Sequence, residues 1–161
     1  YRSSSPRAVS PYLLALSNAE RGTRNVTSNL RHATLTWDHG MVFDGAAPGG
    51  PAIRLDGDGA EGPSPVVALL LAAAACTGSD IVSILEKSRA GLTDCRIEMR
   101  GTRRADHPRR FVAIHMTVHL AGTALDETKA RRAIDLSLEK YCSVVHSLAK
   151  DIAITHELVL G

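Results

Sequence analysis

Three cysteines, at positions 76, 95 and 142, are the residues of this chain best suited to chemistry. An odd number of cysteines without a C-x-x-C spacing is not the framework of a disulfide-rich secreted protein. It also lacks the ligand spacing of a structural zinc site. The pattern favours one or two reactive thiols in a reducing compartment, which we take to be the cytoplasm. We expect no metal and no cofactor.

Cys76 and Cys142 differ from Cys95 in their surroundings. Cys76 ends an apolar run, and Cys142 lies beside the apolar stripe of a later helix, whereas Cys95 opens a strand and is assigned a structural role. Two thiols that meet can pass from thiolate to sulfenic acid to disulfide and back, which is reversible redox chemistry. The alternative for each is an inert, small core residue.

A reactive Cys76 needs a group that lowers a thiol pKa that starts near ~8.5. We hypothesise a helix break at Thr77-Gly78, because a helix that begins there would direct its free amides toward the sulfur. Glu139 is the carboxylate nearest to Cys142 in sequence, and its alternative is a solvent-facing position.

The remaining features exclude other kinds of site. His115 and His119 share one face of a strand but have no evident third ligand, so a solvated sheet face is favoured over a metal site. A net charge of +2 with 4% aromatic residues gives no basic, aromatic-rich platform for nucleic acid. The apolar run from Val66 to Cys76 is too short to span a bilayer, so no membrane contact is expected.

The elements that must position the cysteines follow from periodicity and from turn residues. In chain order we predict strands at 33–37, 41–43 and 52–56, a helix from 64 to 91, paired strands at 95–100 and 111–120, a helix at 127–150 and a strand at 152–160. Strands in runs indicate an α+β fold with largely antiparallel sheets. The first helix is apolar on all sides over Val66–Ala75, so it needs cover from its own sheet plus another helix or a partner chain.

The chain divides into two parts. Residues 1–29 are Ser- and Arg-rich and poor in acids, which is typical of a transit peptide, a cloning remnant or a disordered extension. We predict a disordered or non-native extension over 1–29 and one folded domain over 30–161.

Several segments together resemble the OsmC/Ohr superfamily, and most of all its YhfA-like branch. They are Pro63-Ser64-Pro65, the eleven residues from Pro65 to Cys76, Asp80-Ile81-Val82-Ser83-Ile84-Leu85, and Glu139-Lys140-Tyr141-Cys142-Ser143-Val144. The resemblance extends from about Leu30 to Leu160. It implies an OsmC-like fold in which antiparallel sheets enclose two long central helices, assembled as an intertwined homodimer with a site at each subunit interface.

The resemblance also implies roles for the cysteines. In peroxiredoxin-like members that protect against oxidative stress, the first cysteine attacks an organic hydroperoxide and the second resolves the sulfenic acid as a disulfide. A lipoyl-type dithiol then reduces that disulfide. By position the two roles fall on Cys76 and Cys142. The sequence departs from the Ohr-type pattern at Val66, where a glutamate is expected, and at Asp38-His39-Gly40, where an arginine is expected.

His39, Arg31 and Arg54 remain open as substitutes for that arginine. Three functions follow. The first is a thiol-dependent peroxidase acting on organic hydroperoxides. The second is a protein of the same fold with little peroxidase activity that binds a small hydrophobic ligand at the dimer interface. The third is a thiol redox sensor.

Overall fold

The computed structural model describes residues 29–161, so the predicted extension lies outside the described residues except for Asn29. The elements are, in chain order, β1 (Thr34–His39), β2 (Val42–Ala46), β3 (Ile53–Asp56), α1 (Pro65–Lys87), β4 (Leu92–Arg103), β5 (Phe111–Gly122), α2 (Glu127–Leu136), a π-helical turn (Ser137–Tyr141), α3 (Ser143–His146) and β6 (Ala153–Leu160). The α+β class predicted from the sequence is confirmed.

The strands form two separate three-stranded sheets. The first has the order β1-β2-β3 and is antiparallel throughout. The second has the order β4-β5-β6, in which β4 pairs antiparallel with β5.

The prediction of largely antiparallel sheets is confirmed for the other three strand pairs, and the last strand is the exception, because β6 runs parallel to β5. A parallel neighbour requires a crossover connection, and α2 with the segment after it returns the chain to the same end of the sheet.

Helix α1 starts where the sequence predicts. The Ser64 hydroxyl accepts a hydrogen bond from the Val67 amide at 3.4 Å, and Pro65 occupies the first turn. The helix then continues without a break to Lys87. The predicted break at Thr77-Gly78 is therefore wrong, and no helix begins beside Cys76. Gly78 instead allows α1 to approach the second sheet, since an added Cβ would lie 3.3 Å from Ile97 Cδ1.

The main core lies between the second half of α1, the second sheet and α2. Its fully buried members come from all three layers: Ile81, Leu85, Met116, Val118, Ala130, Ala133 and Ile134. Burial of this kind stabilises the fold by roughly 25 cal/mol per Å² of apolar surface. This core fixes the part of α1 that carries the first cysteine.

The first half of α1 has no such cover within the chain. Val67 and Leu71, four residues apart on one side of the helix, are 45% and 53% exposed, and Leu69 on the opposite side is 39% exposed. The half of the helix predicted to be buried on every side is therefore open within one chain. Among residues 29–161 it is also the one helix long and apolar enough to cross a membrane, with only 17% of its most apolar 18 residues buried. Core helices of other folds meet the same criterion.

The second predicted helix, 127–150, is interrupted. Helix α2 starts at Asp126, whose carboxylate accepts the Lys129 amide at 2.8 Å, but it ends at Leu136. A π-helical turn follows, then an extended residue at Cys142, then the short α3. The prediction of two long helices is therefore correct for α1 and wrong for this second segment.

Candidate functional site

The structure brings Cys76 and Cys142 together although they are 66 positions apart in the sequence. Their sulfur atoms and a carboxylate oxygen of Asp80 all lie within 4.8 Å of one another. Both cysteines are free thiols and are not joined in a disulfide. The catalytic assignment of the pair stays a prediction, and the nearness of the two sulfurs is consistent with it.

Helix α1 supplies two of these three groups. Cys76 and Asp80 are four residues apart, so their side chains lie on one side of the helix, one turn from each other. Both are partly buried, beside the fully buried Thr77 and Ile81. The core that fixes Ile81 therefore also fixes the site.

The π-helical turn positions Cys142. The Cys142 amide donates to the Ser137 carbonyl, five residues earlier, at 2.8 Å, and the backbone then becomes extended at Cys142 with φ −66° and ψ 94°. The extra residue in the turn re-aims the side chain relative to a continuous α-helix. Cys142 is fully buried and lies in the break before α3.

Two donors hold the Cys142 sulfur. The Thr77 hydroxyl lies 3.3 Å from it, and the Val145 amide lies 3.5 Å from it. Burial raises the pKa of the Cys142 thiol, the hydrogen bonds from Thr77 and Val145 act to lower it, and the neighbouring Cys76 raises it further. The net direction is upward, so the Cys142 thiol ionises less readily at neutral pH than a free cysteine does.

Asp80 is a site residue that the sequence analysis did not single out. Its Oδ2 accepts a hydrogen bond from the hydroxyl of Ser137 at 2.8 Å, and Ser137 is fully buried. This bond ties α1 to the π-helical turn. Asp80 could have been found from the sequence, because a residue four positions after Cys76 on a helix lies beside it. Nothing local in the sequence indicates Ser137.

The cations proposed as substitutes for the missing arginine have other partners in the described residues. Arg54 donates to Asp44 at 2.8–3.0 Å, to Asp38 at 2.9 Å and to Glu61 at 3.0 Å. The bond to Asp44, first among these, holds the pKa of the Arg54 guanidinium above its usual range.

His39 lies in the same exposed network. Its ring nitrogens are 3.2 Å from Asp38 and 3.0 Å from Glu61, and these bonds raise its pKa. The third candidate, Arg31, donates to the Leu30 carbonyl at 3.2 Å. Within the described part of the chain, the side chains of His39 and Arg54 therefore bond to carboxylates and not to Cys76.

The other groups considered from the sequence lie elsewhere. His115 Nδ1 is 2.8 Å from Thr155 Oγ1, and His119 Nε2 is 3.5 Å from Glu98 Oε1, on a polar sheet face. Glu139 is exposed in the π-helical turn. Cys95 lies on β4, where burial raises the pKa of its thiol.

Known proteins share both the sequence and the fold of this chain. The sequence pattern described as "OsmC-like protein" matches residues 57–157. Protein YhfA of Escherichia coli K12 is 40% identical over 125 residues, which is 77% of this chain and 93% of that protein.

Two solved structures show the extent of the fold. A hypothetical protein from Aquifex aeolicus VF5 is 27% identical, with a TM-score of 0.71 over 82% of this chain and 98% of that one. The organic hydroperoxide resistance protein OhrB of Bacillus subtilis is 18% identical, with a TM-score of 0.55 over 81% of this chain and 98% of that one. At that identity the likeness to OhrB concerns the fold alone. The matched sequence pattern and the 40% identity to YhfA establish that this chain belongs to the OsmC-like family.

Proposed function

We propose that the protein is a thiol-dependent peroxidase that reduces organic hydroperoxides through Cys76 and Cys142. The observation that carries this proposal is the placement of two reduced sulfurs within 4.8 Å of one another in a family whose fold is shared by an organic hydroperoxide resistance protein.

The two cysteines differ in access, which supports the order in which they would react. Cys76 is partly exposed, whereas Cys142 is fully buried and its sulfur accepts two hydrogen bonds. A peroxide that enters from solvent therefore meets Cys76 first. Cys142 is the resolving thiol.

The reaction balances with an external dithiol. The Cys76 thiolate attacks the terminal peroxide oxygen, an S–O bond forms, the O–O bond breaks, and the alcohol leaves after it takes up a proton. The Cys142 sulfur then attacks the sulfenic acid, so that an S–S bond forms and water leaves with the Cys142 proton. A lipoyl-type dithiol reduces this disulfide by two exchange steps and is itself oxidised.

Asp80 is the proton acceptor available in the site. Its carboxylate lies within 4.8 Å of the Cys76 sulfur and is oriented by Ser137. A positioned base accelerates proton transfer by about 10²–10⁴-fold. Asp80 would thus replace the glutamate that the Ohr-type pattern places at position 66. That glutamate precedes Cys76 in the sequence, whereas Asp80 follows it.

The homodimer belongs to the same proposal. The uncovered apolar side of α1 that carries Val67 and Leu71 needs a partner, and the first sheet also exposes Leu35, Trp37 and Ile53. Uncovered apolar surface of this extent marks an interaction site. A second copy of the chain would cover it and bring another sheet over α1, and a cytoplasmic location would keep both thiols reduced.

The test is peroxide consumption by purified protein. Cumene hydroperoxide should be consumed with dihydrolipoamide as reductant, and Cys76→Ser should abolish turnover. Cys142→Ser should stop turnover after one oxidation of Cys76, and Cys95→Ser is the matched control. Unchanged activity in Cys76→Ser would overturn the proposal.

The exposed apolar side of α1 also favours a second candidate, a protein with little peroxidase activity that binds a small hydrophobic ligand at the subunit interface. It predicts a lipid-like molecule that organic solvent extracts from the purified protein and mass spectrometry detects. Fast turnover with no extracted ligand would exclude it.

A further inference from the structure

We propose that reduced Cys76 and Cys142, together with Asp80, form a binding site for one thiophilic divalent cation, with zinc as the expected metal. The sequence alone predicts no metal, because the cysteines lack the spacing of a structural zinc site. The fold supplies the proximity that the spacing does not. This inference does not rest on the peroxidase activity, since the binding is measured without peroxide.

The distances fit coordination after small side-chain rotations. The three ligand atoms lie within 4.8 Å of one another. Around tetrahedral zinc, with Zn–S bonds of about 2.3 Å and Zn–O bonds of about 2.0–2.2 Å, ligand atoms are roughly 3.5–3.8 Å apart. Binding therefore requires a contraction of about 1 Å among the three ligand atoms, which is the size of a side-chain rotation.

Hydrogen bonds from neighbouring side chains hold two of the three proposed metal ligands, as is usual around a metal site. Ser137 donates to Asp80 at 2.8 Å, and Thr77 donates to the Cys142 sulfur at 3.3 Å. Ser137, Thr77 and Cys142 are all fully buried. Such outer contacts hold metal ligands in orientation and typically change metal affinity by about 10–100-fold when removed.

The charge of the site favours a cation. Two thiolates and one carboxylate would place three negative charges within 4.8 Å of one another. Within the part of the chain described, the hydrogen bonds recorded to the Cys142 sulfur come from the neutral donors Thr77 and Val145. A divalent cation offsets this charge and displaces two thiol protons to solvent as it binds.

The donor set selects the metal. Two thiolates favour zinc and other soft cations over magnesium and calcium, which prefer oxygen ligands. Three protein ligands leave a fourth position for solvent, as in sites that are not purely structural. Among residues 29–161 no other group of three or more ligand-type side chains comes this close together, and the His115/His119 face is not such a group.

Metal binding and thiol oxidation exclude each other at this site. A bound cation occupies the Cys76 sulfur, and a Cys76–Cys142 disulfide offers no thiolate to a metal. Zinc should therefore slow the oxidation of Cys76 reversibly, and a chelator should restore it.

The experiment uses the full chain, reduced with a phosphine and freed of metal. Zinc alone is titrated against a chromophoric chelator, and Co²⁺ is added separately to record the thiolate-to-cobalt absorption. We expect one metal per chain and a cobalt spectrum of a tetrahedral site with two sulfur ligands. Cys76→Ser and Cys142→Ser should each reduce the cobalt absorption to that of a site with one sulfur ligand. Asp80→Asn should lower the zinc affinity by at least about tenfold. Cys95→Ser is the control and should bind as the parent does.

A zinc affinity in Asp80→Asn equal to that of the parent would overturn the site, and so would loss of the cobalt spectrum in Cys95→Ser alone. Wild-type protein oxidised with diamide provides a test that needs no mutation. It must lose the bound metal and recover it after reduction, and metal retention by the disulfide form would also overturn the proposal. Peroxide consumption by the metal-free protein is scored separately, so failure here leaves the proposed peroxidase unaffected.

Discussion

The Thr77 hydroxyl donates a hydrogen bond to the Cys142 sulfur at 3.3 Å, and Thr77 is the residue next to Cys76. One turn of α1 therefore carries the first cysteine and also a donor that holds the second. Any displacement of α1 relative to the π-helical turn would separate both the sulfurs and this hydrogen bond.

Replacing Thr77 by valine keeps the shape of the side chain and removes the donor. Because the Thr77 bond lowers the Cys142 pKa, its loss should raise that pKa further and slow disulfide formation after a peroxide pulse. The free energy of unfolding should fall by about 1 kcal/mol, the net value of a typical hydrogen bond. Rapid-quench trapping of the disulfide measures the rate. Thr128→Val on the exposed side of α2 is the matched control, and an equal effect there would contradict the role of the bond.

The two cysteines should differ in their rate of alkylation. Cys142 is fully buried and its pKa is raised mainly by burial, whereas Cys76 is partly exposed. A brief pulse of iodoacetamide at neutral pH should label Cys76 first, and labelling of Cys142 should increase as the pH approaches its raised pKa. Peptide mass spectrometry resolves the sites. Faster labelling of Cys142 at pH 7 would be inconsistent with its burial.

Removal of the Asp80 charge should slow the first oxidation step. Asp80→Asn keeps the size of the side chain but cannot accept the Cys76 proton, so in metal-free protein the peroxide reaction should slow by about 10²-fold or more. Ser137→Ala should slow the peroxide reaction less, because it removes only the hydrogen bond that orients the Asp80 carboxylate. Stopped-flow measurement of sulfenic acid formation gives both rates. Asp135→Asn, an exposed aspartate 3.6 Å from His156, is the control and should leave the rate unchanged.

Asp56 should make the loop before α1 sensitive to acid. Its carboxylate accepts the amides of Asp58, Ala60 and Glu61 at 2.8–3.0 Å, and these bonds, the Glu61 amide first, lower its pKa. A carboxyl whose folded pKa is lowered stabilises the fold above its unfolded value near ~3.9, and this contribution is lost as the pH falls through the folded pKa. Asp56→Ala should therefore lower the urea midpoint at pH 7. The difference from the parent should shrink below about pH 4, and a constant difference down to pH 2 would refute the linkage.

The sequence predicts the elements of this fold better than it predicts their breaks. Ser64-Pro65 marks the start of α1 because capping and a fixed proline φ are local effects. The end of α2 carries no such mark, since Leu138, Glu139 and Lys140 are good helix formers. The π-helical turn that follows is accompanied by a contact between distant parts of the chain, the Ser137–Asp80 bond, which the local sequence does not indicate.

The candidate site also combines features that are local in the sequence with features that only the fold creates. The pairing of Cys76 with Cys142 came from the family resemblance, because no spacing along the chain relates two residues on separate helices. Asp80 was accessible from its spacing of four, yet its importance depends on Cys142 and Ser137, which only the fold brings near. The parallel direction of β6 likewise depends on the path of the crossover and not on its alternating pattern.

The apolar side of α1 supports the last prediction, which concerns assembly. Leu71 is 53% exposed within one chain, next to the stretch of alanines that would allow close helix approach. If a second copy covers this side, Leu71→Asp would bury an unpaired charge in the interface and should convert a dimer into monomers. Light scattering coupled to gel filtration measures the mass. Val159→Asp places the same charge on a valine that is 41% exposed on the second sheet and should leave the dimer intact. A parent protein that elutes as a monomer, or a Leu71→Asp variant that remains dimeric, would contradict the proposed interface.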